Sequence, residues 1–308
     1  LAFVLLNNKP EKEPPPPEQY FTVLEFIRDD LQRFEIIEYF SAESLEGDAQ
    51  EGAVRVASRV ALERNDQGGW TVLEPGPPRA DQAAVDTFLY NIASLQVERK
   101  VEDKPANLEK YGLAQPHYEV NAAMENGTQH IVQIGSLNEL ADGYYLKIVG
   151  KKPVYIIPRN YLETVFDSGR LIDKSLTALD YEESLVRAEI TVGDTHVSCV
   201  NEQGEWRLEG DGDAQDCNYI GSGLFEALLG SHFTEWIPDD KLPEPREKIG
   251  LRPARILVQA GTDRDKTIEL ALGRPVMDKI FVENIGRGEL YLAPATLEED
   301  ILSLLVLE

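Results

Sequence analysis

Alternating apolar and polar residues predict β-strands in the first part of the chain. The alternation covers residues 34–40 and 54–62, and the turn at 65–69 leads into a strand that opens with Trp70. Apolar residues then recur at helical spacing behind Asp81, which predicts an amphipathic helix with Asp81 as its N-cap. The apolar positions of this helix are Val85, Phe88, Leu89, Ile92 and Leu95.

Short turns separate the next group of predicted strands. These strands cover residues 118–124, 129–134, 144–148 and 154–157. Consecutive strands joined by short turns pair antiparallel. We therefore expect an α+β fold in which an antiparallel β-sheet carries a helix packed on one face.

The second part of the chain resembles the first at a nearly constant offset. Trp206 follows Trp70 by 136 residues, and Gly250 follows Gly112 by 138 residues, each within a similar local sequence. A fixed offset of this kind indicates an internal duplication. The sequence thus predicts two tandem α+β repeats. Both Trp residues are expected to pack in the core, and both Gly residues to adopt a positive φ at a turn.

The beginning of the chain has a different pattern. It opens with an apolar run of six residues, which is shorter than the ~20 residues that span a bilayer. We expect this run to be the end of a membrane anchor, followed by a proline-rich linker in extended polyproline II conformation. The alternative is a short disordered or packed terminus. The predicted anchor residues are Leu1, Phe3, Val4, Leu5 and Leu6, and the predicted segments are 1–6 (anchor end), 7–19 (linker), 20–178 (first repeat) and 179–308 (second repeat).

The net charge of the chain disfavours some classes of binding partner. The chain has 308 residues, with 55 Asp plus Glu against 30 Lys plus Arg, which gives a net charge of −25. Nucleic acids and anionic membrane surfaces need clustered positive charge on their protein partners, so both are poor candidates. A content of 42% apolar residues fits a soluble globular protein, and the length allows about two domains.

Motifs for catalysis and metal binding do not emerge from the sequence. The four His residues form no close metal-ligand pair, and no phosphate-binding loop or nucleophile elbow occurs. We therefore predict no enzyme activity, no cofactor and no metal. Cys199 and Cys217 are 18 residues apart, so they form either one disulfide or two separate thiols. The apolar end of the chain offers a partner face at Leu302, Leu305 and Leu307.

The order of the motifs resembles a bacterial domain family of unknown function. The resemblance rests on Gly68-Gly69-Trp70, Tyr111-Gly112-Leu113, Tyr144-Tyr145 and Val154-Tyr155-Ile156, and it extends over about residues 22–308. Members of this family are commonly anchored in the membrane and extracytoplasmic. Some are fused to, or encoded beside, auxiliary proteins of gliding-motility-type ABC transporters. The family has no assigned catalytic residues.

This resemblance implies a non-enzymatic, membrane-tethered auxiliary or scaffolding subunit of an envelope membrane-protein assembly associated with an ABC transporter. It would lie on the periplasmic side of the inner membrane and bind other subunits, but no nucleic acid. The alternative is a periplasmic module that binds a glycan or small molecule between the repeats, with exposed rings at Tyr144, Tyr145 or Trp236. A hydrolase that uses paired carboxylates is the weakest alternative.

Overall fold

The computed structural model describes residues 20–39, 56–74, 79–160, 162, 167–209 and 216–305. These residues fold into two compact units. The first contains the described residues up to Trp70 together with 82–171, and the second contains those of 71–81 and of the chain from Ile172 onward. The sequence predicted the boundary between the two repeats at residue 178, several residues after the division at Leu171 in the structure. The difference arises because Leu176 is fully buried in the core of the second unit, so the segment around it belongs there.

The described residues up to 158 form ten strands and one α-helix, and eight of these strands make up the first sheet. In chain order, the strands are β1 (Phe21–Glu25), β2 (Leu31–Tyr39), β3 (Val56–Arg64), β4 (Trp70–Glu74), β5 (Ser94–Val97), β6 (Arg99–Glu102), β7 (Tyr118–Met124), β8 (Gln129–Asn138), β9 (Gly143–Ile148) and β10 (Val154–Pro158), with helix α1 at Gln82–Ala93. The sheet order is β4-β3-β2-β7-β8-β9-β10-β6, and β1 and β5 form a separate two-stranded sheet.

Aromatic side chains join helix α1 to this sheet. Phe88 of α1 stacks on Phe34 of β2 with ring centroids 5.2 Å apart, and buried Trp70 meets Phe34 edge-on at 5.1 Å. Trp70 is thus a core residue, as its sequence context predicts. Leu95 corrects the helix prediction. It lies in β5, opposite Leu24 of β1, because α1 ends at Ala93 and the chain continues directly into an antiparallel pair.

The second sheet also contains eight strands. They are β11 (Leu185–Val192), β12 (Thr195–Glu202), β13 (Glu205–Leu208), β14 (Glu235–Ile237), β15 (Ile256–Thr262), β16 (Thr267–Val276), β17 (Lys279–Asn284) and β18 (Glu289–Pro294), with helices α2 (Cys217–Leu229) and α3 (Thr296–Ser303). The sheet order is β13-β12-β11-β15-β16-β17-β18-β14. The pairings are antiparallel, so the predicted α+β class with antiparallel sheets is confirmed.

Helix α2 begins where the sequence provides a cap. The carboxylate of Asp216 accepts hydrogen bonds from the backbone N–H groups of Asn218 and Tyr219, which satisfies two donors of the first turn. The apolar face of α2 packs with β11, β12 and β15 in one core, against which half-buried Trp206 also packs. Burial of this face, more than helix propensity, stabilises the helix.

The two sheets share an irregularity at the same place in their strand order. The β8–β9 register shifts between Ile134 and Leu137, and the β16–β17 register shifts between Leu272 and Pro275. Each shift adds a residue to one strand and bends it. The two positions are 138 residues apart in the chain, the offset that the sequence motifs show near Gly112.

A glycine lies next to each of these bulges, where the backbone approaches another segment closely. A Cβ on Gly135 would overlap the carbonyl oxygen of Tyr111, and a Cβ on Gly273 would overlap that of Ile249. The glycines that follow these two carbonyls adopt φ values of 65° and 76°, as their sequence context predicts. Both units therefore require glycine at the bulge for the same steric reason.

Candidate functional site

The predicted anchor lies outside the described residues. This applies to Leu1, Phe3, Val4, Leu5 and Leu6, and also to the linker at 7–19. Within the part of the chain that the structure describes, no helix is long and apolar enough to cross a bilayer.

The apolar end of the chain packs onto the second unit. Leu302 and Leu305 are half-buried and contact its core, beside the fully packed Leu304. Leu307 lies outside the described residues. The predicted partner face thus retains only part of the surface of Leu302 and Leu305 for contact with another molecule.

Cys199 and Cys217 form a disulfide in the second unit. Their Cα atoms are 5.6 Å apart, and the bond joins strand β12 to the first residue of α2. Both cysteines are buried in the apolar core, so the bond fastens the helix start directly to the sheet. The sequence places no cysteine in the first unit.

The aromatic rings proposed for ligand stacking are half-buried. The ring of Tyr145 packs edge-on against Tyr111 at 4.8 Å, and its hydroxyl accepts a 2.7 Å hydrogen bond from Asn138. Trp236 packs against the core of the second unit. Tyr144 is half-buried on β9. The rings of Tyr145 and Trp236 therefore pack against other residues of their own units.

A polar groove lies on the open face of the first sheet, over β2, β7 and β8. It has a volume of about 410 Å³ and is lined by Arg33, Glu35, Glu119, Asn121, Ala122, Ala123, Gln129 and Ile131. Strand alternation creates this face, because the residues between the buried core positions point away from the core. The alternation predicted a polar face but gave no indication that it forms a groove.

Three polar side chains of the groove have side-chain partners in the same sheet. Glu119 accepts hydrogen bonds from Asn121 at 3.2 Å and from Gln133 at 2.9 Å, and Glu35 forms an ion pair with Arg59. The side-chain oxygen of Asn121 is buried without a hydrogen-bond partner among the described residues, so it can accept a hydrogen bond from a ligand or from water.

The groove also perturbs a neighbouring phenol. Burial, together with the carboxylates of Glu119 and Glu35, raises the pKa of Tyr39, and nearby Arg59 only partly opposes this effect. Tyr39 therefore keeps its proton at neutral pH. Within the described ranges, no group of three or more His, Cys, Asp or Glu residues is placed to hold a metal ion.

Both sheets end in short strands. Strands β6 and β14, at corresponding edges, contain four and three residues. An edge strand pairs on one side only and presents its remaining backbone donors and acceptors outward. Such an edge can accept a strand from another chain, and its shortness limits unspecific pairing.

Fold and surface together define an α+β protein of antiparallel sheets with a polar groove, short edge strands and one buried disulfide. Residues 70–248 match the model of the domain of unknown function DUF4340, which covers more than half of the chain, and the chain belongs to this family. No curated protein and no solved structure matches the chain.

Proposed function

We propose that the chain is a non-enzymatic, membrane-tethered extracytoplasmic subunit of an envelope membrane-protein assembly. The disulfide between Cys199 and Cys217 carries this proposal. Disulfides form and persist in oxidising compartments and are rare in the reducing cytosol. The apolar run at 1–6 and the proline-rich segment at 7–19 supply the tether and a semi-rigid spacer.

We further propose that the two units are tandem copies of one α+β repeat, each with a helix on its sheet. The equivalent strand orders, the matching bulges and the matching glycine contacts support this proposal. Since the bulge and its glycine serve the same packing need in both units, independent origin is the less economical explanation. A duplicated unit offers two sets of edge strands to partner chains.

The partner class follows from the edges and from the family resemblance. Edge strands β6 and β14 suit addition of a strand from another subunit. The resemblance to domains that accompany gliding-motility-type ABC transporters makes the membrane subunits of such a transporter the expected partners. The scaffold would hold these subunits at a distance set by the proline-rich spacer.

Site-specific photocrosslinking in native membranes tests this proposal. A photoreactive residue replaces exposed Val101 in β6 or exposed Glu235 in β14, and exposed Glu226 on helix α2 serves as the matched control. We expect Val101 and Glu235 adducts with membrane-protein subunits, identified by mass spectrometry, and none at Glu226. Equal adducts at all three positions, or recovery of the protein in the soluble fraction alone, would contradict the proposal.

A thiol-trapping experiment tests the compartment separately. Whole cells are quenched in acid, and free thiols are alkylated before and after reduction. We expect Cys199 and Cys217 to react only after reduction. Alkylation of both cysteines without reduction would place the protein in a reducing compartment.

A ligand-binding module is the second candidate, and the free acceptor of Asn121 in the polar groove favours it. A polar ligand that donates a hydrogen bond there should raise the thermal midpoint of the protein. Asn121→Leu should abolish that rise while Asn107→Leu, at an exposed position away from the groove, preserves it. No stabilising ligand in a broad glycan and metabolite screen would remove this candidate.

A further inference from the structure

The lysines of the chain are unevenly distributed. Six of the thirteen lie between residues 100 and 152, and none lies between 13 and 99. Four of these six line a single pocket of about 430 Å³, which we call the lysine pocket. Its lining residues are Lys104, Pro105, Leu108, Lys147, Gly150, Lys151 and Lys152. This lining contains no carboxylate, although the whole chain carries a net charge of −25.

Strand pairing brings these lysines together. Val154, the first residue of β10, lies opposite Glu102, the last residue of β6. The turn at 149–153 that precedes β10 therefore lies beside the segment at 103–108 that follows β6. Residues about 40 positions apart in the chain thus share one pocket at the edge of the first sheet.

Two of the lysines shape the pocket. The ammonium of Lys147 donates to the backbone carbonyls of Lys151 at 2.6 Å and of Lys152 at 3.3 Å, which closes the turn. The ammonium of Lys151 donates to the carbonyl of Val23 at 2.5 Å. Partial burial lowers the pKa of Lys147, so its charged form lacks full solvation and would gain from a nearby anion.

Two of the three carboxylates closest in sequence to the pocket have cationic partners, and the third, the exposed Glu109, accepts a hydrogen bond from Asn107 at 3.2 Å. Glu102 pairs with Lys110 at 2.8 Å, and Asp103 pairs with Lys100 at 2.7 Å. They therefore do little to neutralise Lys104 and Lys152, whose side chains are exposed at the pocket. A positive local charge results.

In the second sheet, the residue that corresponds to Lys147 is paired with charged residues of its own unit. Glu283 is the fifth residue of β17, as Lys147 is the fifth residue of β9. The buried carboxylate of Glu283 accepts from Arg246 at 2.9 Å and from Arg252 at 3.2 Å. The second unit thus supplies both charges at this position itself, whereas the first unit has a lysine there and no carboxylate among the residues that line the pocket.

We propose that the lysine pocket binds a phosphate group. Lysine ammonium groups act as point charges that suit phosphate, and the volume falls in the range of small-ligand sites, about 300–1,000 Å³. Pro105 and Leu108 provide an apolar wall for the organic part of a phosphate ester. The phosphate belongs either to a soluble ester or to a phospholipid headgroup, and this chemistry goes beyond the scaffolding role.

Titration of the purified 308-residue chain with glycerol 3-phosphate at about 0.1 M salt tests the proposal, with binding followed by calorimetry. The test variant is K104Q/K152Q. The control variant K241Q/K248Q removes the same charge from two exposed lysines of the second unit. We expect saturable binding that weakens about 10-fold in the test variant, which corresponds to the loss of two solvent-exposed ion pairs, and by less than about 2-fold in the control.

The variant K104R/K152R separates loss of charge from any other effect of substitution at these two positions. It keeps both positive charges and should retain binding within about 3-fold. Circular dichroism checks that all variants are folded. The proposal is overturned if the wild-type chain shows no saturable binding, or if the test and control variants weaken binding equally. The second result would reflect net charge alone.

Vesicle flotation separates the two sources of phosphate. Vesicles of phosphatidylcholine alone are compared with vesicles that contain phosphatidylglycerol. Binding to the anionic vesicles that is lost in K104Q/K152Q and kept in K241Q/K248Q assigns the pocket to a lipid headgroup. Saturable binding of glycerol 3-phosphate without vesicle binding assigns it to a soluble ester.

Discussion

Reduction of the Cys199–Cys217 disulfide should destabilise the second unit by about 3 kcal/mol. The bond closes a loop of 18 residues in sequence separation. For a loop of this length, the chain-entropy relation gives about 11 cal/mol/K, or about 3 kcal/mol at 25 °C. The effect arises in the unfolded state, which gains conformations when the link is removed.

The native packing around the two cysteines should largely survive reduction. Both sulfur atoms stay in the apolar core, and Asp216 still caps helix α2. The double variant C199A/C217A also removes the sulfur atoms and leaves small cavities. We therefore expect it to be about 1 kcal/mol less stable than the reduced wild-type chain.

Hydrogen exchange followed by mass spectrometry measures this effect in each unit separately. In the second unit, amides of β12, α2 and β15 should exchange about 100-fold faster after reduction, since each 1.4 kcal/mol is a factor of ten. Amides of β7 and β8 in the first unit, which has no cysteine, provide the internal control. A change below about 1 kcal/mol in the second unit, or an equal change in both units, would refute the reasoning.

Three further predictions concern packing and ionisation. Gly273→Ala should cost about 1–3 kcal/mol in urea unfolding, because its Cβ would overlap a backbone carbonyl, whereas Gly261→Ala, which has ordinary van der Waals space, should stay within about 0.5 kcal/mol. Equal effects of the two glycine variants would contradict the steric explanation. Arg79→Ala should cost about 1–2 kcal/mol by the same measurement, since its guanidinium donates to one backbone carbonyl and pairs with two carboxylates; an unchanged midpoint would show that solvent replaces these contacts. Burial and Glu38 raise the pKa of Tyr118 to about 12, above its ordinary value, so the stability from this phenol is complete below about pH 10 and is lost as pH rises toward 12. Tyr118→Phe should remove that part of the alkaline destabilisation, and unfolding midpoints at pH 9 and 11.5 that fall equally in both proteins would contradict this assignment.

Local signals in the sequence were sufficient for the central strands and for one helix start. Alternation placed a strand at 118–124, which matches β7, because the buried side chains of β7 face the core at every second position. Asp216 directly precedes α2 in the sequence, and its carboxylate accepts hydrogen bonds from the first turn of that helix. In both cases one short segment contains the physical cause, so its pattern is readable without the rest of the chain.

The edges of the sheets could not be predicted in the same way. Strands β6 and β14 contain four and three residues, too few for a periodic pattern. Leu95 continued the helical spacing of α1 in sequence, yet it pairs with Leu24 from the beginning of the described chain. Long-range pairing decided these positions, and a local pattern does not contain that information.

The lysine pocket shows the same limit for electrostatics. A net charge of −25 led to the expectation that nucleic acids and anionic membrane surfaces are disfavoured, but this number averages over the whole chain. Screening confines the effect of exposed charges to about 10 Å at 0.1 M salt, so distant carboxylates do little to a phosphate already in the pocket. The net charge instead acts on approach, where it slows the encounter with an anion. Nucleic acids stay disfavoured, since they require a long positive surface, whereas a single phosphate group needs only the few ammonium groups that β6 and β10 bring together.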